Sequence, residues 1–274
     1  MLNDEHFKVL YYEADSSKVF PSTDIRGGVI ISYRDESKTF GAIESFSTFE
    51  ELNTILKKVR PTIKNPFSSI VSGQGIYKLS DTALFEHPEI VDLQSKNAPK
   101  VINTNAFTTL QNIVFFKEKP DNEECVQFLG LVNNKRVYYW GIKRYQAIPD
   151  SFYKYKVFVP KANGSGALGE VLSTPLIGAT KSFLSIGSFE TLNEAENCLK
   201  YVKSKFARTM LGVLKVTQDN PSEKWKYVPL QDFTSQSDID WSQSVAEIDR
   251  QLYKKYGLAD NEIEFIETHV KEMV

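Results

Sequence analysis

Histidine, tryptophan, methionine and cysteine are all scarce in this 274-residue chain, with three, three, three and two copies respectively. Cys125 and Cys198 fall in no metal-type spacing, and His6, His87 and His269 stand singly, so no metal site is expected. Two such cysteines read as free thiols of a reducing compartment. No run of about 18 apolar residues occurs, which argues against a transmembrane helix and a membrane partner. Met1–His6 has neither the basic end nor the apolar stretch of a signal peptide, so a cytoplasmic location is expected. Internal repeats and low-complexity linkers are also missing. What remains is ordinary globular composition, 41% hydrophobic and 25% charged, at a length that suits one large domain or two modest ones.

The formal net charge of −2 does not by itself suggest nucleic acid, but its distribution does. Residues 1–124 carry 14 basic and 18 acidic side chains, residues 125–230 carry 15 and 7, and residues 231–274 carry 4 and 10. The central excess is enough for a local phosphate-binding face. A solvated lysine-rich surface is the alternative reading of the same composition.

The stretch Val19–Lys38, VFPSTDIRGGVIISYRDESK, is the most informative. Proline restricts its predecessor to extended backbone, so Phe20 is presented from a strand end or a turn, or else is a core aromatic at a strand entry. Arg26 leads into Gly27-Gly28, where backbone can approach another group closely. Residues 7–12 and 28–34 then read as two strands of one hairpin. Thr48-Phe49-Glu50-Glu51 reads as a capping box opening a helix over 48–60, with Leu52, Ile55, Leu56 and Val59 at helical spacing and Pro61 as its stop. Residues 66–124 are the least legible. Val126–Val132 and Val137–Trp140 flank Asn133-Asn134 and predict a second hairpin, with Lys135, Arg136, Lys143 and Arg144 at its ends. A second capping box, Thr191–Glu194, predicts a long helix to about Leu214. Two short helices close the chain, one stopped by Gly257 and one capped by Asp260.

With Val9-Leu10-Tyr11-Tyr12 before it, the Phe20 stretch resembles the last strand hairpin of TaqI-like gamma-class adenine-N6 DNA methyltransferases of type II and IIG restriction-modification systems. Three further blocks resemble the target-recognition region of the same enzymes, in the same order: Lys156–Ala162, Tyr227–Phe233 and Leu252–Leu258. The resemblance implies an α+β protein. Residues 1–45 would be the terminal strands of a methyltransferase-like sheet, 46–65 a connecting helix and 66–274 a DNA target-recognition domain. It also implies that Phe20 packs against an adenine swung out of the duplex, since a base must leave the stack before it can be methylated. Double-stranded DNA is the implied partner, and S-adenosylmethionine the cofactor of the complete enzyme.

Two motifs of that family have no counterpart here. One is the Gly-rich loop after the first strand; the other is the Asn-Pro-Pro-Tyr/Phe tetrapeptide, whose nearest approach, Asn65-Pro66-Phe67, follows the Phe20 motif instead of preceding it. Catalysis by this polypeptide alone is therefore not expected, and no cofactor is expected on it. Gly164–Gly169 reads G-x-G-x-x-G, but Pro175 follows too soon for the helix that a cofactor loop requires. As a loop approaching phosphate or base edges it is more credible. The candidate DNA contacts are Arg26, Lys143, Arg144, Lys161, Asn163, Ser165, Lys181 and Gln218, because Lys and Arg bind phosphate while Asn, Gln and Lys read base edges. Two other readings stand beside this one. The chain could complete a split methyltransferase, through a separate subunit or by self-association of its N-terminal strands. Asp24, Glu36 and Lys38 also make a crude D…ExK set for a magnesium-dependent nuclease, although Glu36 reads as part of a turn.

Overall fold

Strands β1 (Phe7–Glu13) and β2 (Val29–Arg34) pair antiparallel, with Phe7 opposite Arg34 and Glu13 opposite Val29. The computed structural model describes the whole chain apart from residues 2, 14, 23, 24, 26, 27, 44–46, 48, 163–167, 216, 217 and 274. Successive side chains of a strand point to opposite faces, and the consecutive Ile30 and Ile31 are each 52% exposed. Apolar side chains are therefore exposed on both faces of this two-stranded sheet, although Phe7 at its start is buried, and a register shift between Val9 and Tyr11 bulges β1 at Leu10. Between the strands, Asp15 accepts the Ser17 N–H at 3.1 Å and caps a 3-10 turn over Ser16–Lys18.

Helix α1 (Glu50–Val59) buries Leu52, Ile55, Leu56 and Val59 as their spacing predicts. Its start differs from the expected capping box. Phe49 occupies the N-cap with no side-chain cap bond, and Thr48 lies outside the described residues. The Asn53 carboxamide instead reaches back to Ser47, accepting its N–H at 2.9 Å and donating to its carbonyl at 2.8 Å. Pro61 is absorbed into a 3-10 turn at Arg60–Thr62.

The chain continues through β3 (Lys78–Leu79), α2 (Asp81–Glu86), α3 (Ile90–Leu93), α4 (Ala106–Thr109), β4 (Phe115–Phe116), β5 (Cys125–Val132), β6 (Lys135–Ile142) and β7 (Gln146–Ala147). Next come β8 (Tyr155–Pro160), β9 (Val171–Ser173), β10 (Ile177–Ala179), β11 (Phe183–Phe189), α5 (Leu192–Lys203), α6 (Lys205–Gly212), α7 (Val245–Lys255) and α8 (Asp260–His269). The protein is thus mixed α+β, with several small sheets. One has the strand order β10-β5-β6-β4, with β10 parallel to β5, and another the order β11-β8-β9. The β5–β6 hairpin turns at Asn133 and Asn134, whose φ values of 51° and 59° are those of a type I′ turn.

Two cores flank β8. Val157 and Val159 pack with α1 and α5–α8 around Phe67 and Trp225, whereas Phe158 packs with the β5–β6 sheet around Phe128 and Phe107. Helix α1 is therefore built into the first core; Lys58 at its end meets Glu262 of α8 at 2.6 Å. On the Phe158 side Lys156 is fully buried, donating to the carbonyls of Phe152, Lys154 and Thr174 at 3.4, 2.8 and 3.4 Å. Burial lowers its pKa to about 8.

The long helix expected after Thr191 is two helices. Its capping box forms as predicted, but the helix breaks at Ser204 and restarts as α6. The Ser204 hydroxyl accepts the Ala207 N–H, and the Asp249 carboxylate of α7 accepts those of Lys205 and Phe206 at 3.0 and 2.9 Å. The first three amides of α6 are thereby satisfied. The expected Asp260 cap also moves: Ala259 is the N-cap, and the Glu262 carboxylate accepts its N–H at 2.7 Å. Gly257 ends α7 as predicted, with φ +61° and open space where a side chain would sit. The variant Gly257→Ala should therefore lose about 1–2 kcal/mol in urea denaturation, the cost of left-handed backbone for an L residue.

Candidate nucleic-acid interface

Strands β5 and β10 run parallel and β6 runs back, so the Asn133-Asn134 turn and the residues just after β10 lie at the same end. Two hydrogen bonds extend that end: the Thr180 N–H donates to Leu129 O, and the Lys161 N–H to Ser182 O, each at 2.9 Å. The backbone at Lys161 is thus brought beside that at Lys181, 20 residues further on within the basic block. The Asn220 N–H donates to Lys161 O at 2.7 Å and Ala162 bridges Asp219, which carries Gln218 to the same place. Arg136 reaches across from the start of β6, its Nη2 donating to Gly169 O at 2.6 Å. Among the described residues, Lys135, Lys161 and Lys181 have no carboxylate partner, so their charge is left for an outside anion.

Asn163, Ser165 and Arg26 lie outside the described residues. Lys143 and Arg144 are in a different situation. They follow the far end of β6, about 24 Å from Lys135 at ~3.4 Å per residue. Lys143 pairs with Glu124 at 2.6 Å, while Arg144 pairs with Glu123 at 3.1 Å and Glu86 at 3.3 Å. Arg144 also donates to Tyr145 Oη, which in turn donates to Glu86. Both cations are spent on neighbouring carboxylates and stand apart from the Lys161–Lys181 end.

Phe20 follows the Ser16–Lys18 turn, its N–H donating to Ser16 O at 2.7 Å, and is 48% exposed. That presentation is a turn with an accessible ring, not a buried strand entry. Of the Gly-rich segment, the described residues Leu168 and Gly169 lead into strand β9 and not into a helix, so they offer no helix N-terminus to a phosphate or carboxylate. Asn65-Pro66-Phe67 is structural: Phe67 is fully buried between Tyr201 and Trp225, and Asn65 O accepts the Leu230 N–H. Asn65-Pro66-Phe67, with its ring buried, does not fit an extrahelical adenine. Of the nuclease-like set, Glu36 is in the turn after β2 and pairs with Arg34 at 2.6 Å, Lys38 pairs with Asp35, and Asp24 lies outside the described residues.

No group of three or more potential metal ligands occurs among the described residues, and no described helix is long and apolar enough to cross a membrane. A cavity of about 520 Å³ opens between α5 and residues 234–242, and none of Lys135, Arg136, Lys161 and Lys181 lines it. Its Asp238 is held by Lys255 and its Asp240 by Ser242 and Gln243, so these carboxylates are already engaged. No family model, curated protein or solved structure matches the chain.

One segment at the cationic end gives no signal in sequence reading. The Lys181 N–H donates to Ile102 O, 79 residues earlier, at 2.8 Å, which brings Asn103, Thr104 and Asn105 near Lys181. Nothing in the irregular 66–124 stretch announces that pairing.

Proposed function

We propose that this chain is the DNA-recognition part of an adenine-N6 methyltransferase of a restriction-modification system, with S-adenosylmethionine and the catalytic tetrapeptide held by other polypeptide. The observation that carries the DNA-binding reading is that Lys161 and Lys181, with Lys135 and Arg136, lie at one end of the fold, the three lysines having no carboxylate partner among the described residues. Phosphate contacts from such an end position a protein on the duplex, and polar side chains among them read base edges. The exposed Phe20 ring suits stacking on an extrahelical adenine, as its sequence motif suggests.

A second reading is favoured by the N-terminal hairpin. A two-stranded sheet is marginal in water, and strands that are apolar on both faces belong to sheets covered on both sides. Residues 7–34 then complete the sheet of a separate methyltransferase subunit. One experiment separates the two readings: selection from a randomised duplex pool with the purified chain, across a salt titration. Enrichment of a sequence with a steep salt slope is the expected result for stand-alone recognition. Absence of binding even at low salt overturns that reading and leaves the split-enzyme one in front.

A further inference from the structure

Asn103, Thr104 and Asn105 form an unusual display. Thr104 and Asn105 are exposed and Asn103 is half-buried, yet Ile102 on one side and Ala106 and Phe107 on the other are essentially fully buried. The carbonyls of Ile102, Asn103 and Asn105 are all committed. Ile102 O accepts from Lys181, Asn103 O accepts the Ala106 N–H at 3.1 Å, and Asn105 O accepts the amides of Thr108 and Thr109. The Gln94 carboxamide adds a brace, accepting the Asn103 N–H at 3.3 Å and donating to the Thr109 hydroxyl at 2.7 Å. Phe107 stacks flat on Tyr139 of β6, with ring centroids 4.5 Å apart, and ties the whole turn to the sheet.

The three side chains, by contrast, make no hydrogen bond among the described residues. Asn105 sits at the N-cap of α4 and still makes no cap bond, although asparagine there ordinarily accepts from the helix amides. A rigid turn whose side-chain amides are left unused, next to an unpaired lysine, is preorganised for an external hydrogen-bonding partner.

We propose that Asn103–Asn105 is a base-reading element, with the Asn105 carboxamide, seconded by Asn103, contacting an adenine in the major groove while Lys181 holds the adjacent phosphate; this rests on the DNA-recognition reading. A carboxamide matches the N6 donor and N7 acceptor of adenine with two hydrogen bonds. A carboxylate has no donor and matches the N4 donor of cytosine instead.

The test is duplex-pool selection with the wild-type chain, Asn105→Asp and Asn103→Ala/Asn105→Ala, each checked for an unchanged far-UV spectrum. The expected result is a motif in which Asn105→Asp changes one adenine position to cytosine and the double alanine variant relaxes that position about tenfold or more, with the salt slope preserved. A wild-type motif that both variants reproduce unchanged overturns the base-reading role while leaving DNA recognition intact. Binding without any enriched motif also overturns it, because nothing is then being read. Loss of wild-type binding at low salt overturns the DNA-recognition reading itself, and this inference with it.

Discussion

Asp249→Ala is expected to destabilise the folded chain by about 2–5 kcal/mol, because each buried amide left without a partner costs roughly 1–3 kcal/mol. The carboxylate is 2% exposed and accepts the first two amides of α6. No other acceptor is in place for them, since the Ser204 hydroxyl is occupied by Ala207. Urea denaturation followed by far-UV circular dichroism measures the loss, and a midpoint within experimental error of wild type would show that α6 starts without this clamp.

The same group has a pH signature. Burial raises the Asp249 pKa to about 6 against the two backbone hydrogen bonds that lower it, with Glu267 raising it further and Arg208 lowering it. A carboxyl whose folded pKa lies above its unfolded value binds its proton first in the native state. Its contribution to stability therefore grows as pH falls from about 6 to about 4, the reverse of an ion-paired aspartate. Relative to Asp249→Asn, which does not titrate, the wild-type chain should gain about 3 kcal/mol over that window, from roughly two pKa units at ~1.4 kcal/mol each. A flat difference between the two profiles would refute it.

The second large effect concerns DNA. Lys161→Ala/Lys181→Ala should bind duplex DNA about 10–100-fold more weakly near 0.15 M salt, with a log K against log salt slope shallower by about 2, one unit per lost phosphate contact. Lys143→Ala/Arg144→Ala should bind within about twofold of wild type, because those cations are already neutralised by Glu124, Glu123 and Glu86. Fluorescence anisotropy with a labelled duplex distinguishes the pairs. Equal losses from both would mean that the basic block acts as a diffuse field and not through one end of the fold.

The contrast between these two pairs marks how far sequence reading reaches. Charge type and hairpin register are local, so the Asn133-Asn134 turn, the Thr191–Glu194 cap and the Gly257 stop are all legible from a few residues. Which end of an eight-residue strand a cation occupies is also legible, but whether a carboxylate from elsewhere meets it is not. The break at Ser204 escapes for a related reason. The apolar stripe Val202, Phe206, Met210 stays in phase across it, and the group that rewards the interruption, Asp249, lies 45 residues further on. In the sequence, Lys161 and Lys181 are marked only by their residue type and their place in the basic block. Their adjacency depends on the pairing of β8 with β11 and on the crossover that sets β10 beside β5.

Strand β8 has a consequence for how this molecule can be divided. Its alternate side chains serve different cores, Val157 and Val159 one and Phe158 the other. Peeling away either core strips one face of the same backbone ribbon and leaves the second core without its wall. A shortened version that keeps only the cationic end would thus inherit a half-clothed strand. The two halves therefore travel as a single inheritance, joined through one ribbon that neither can spare.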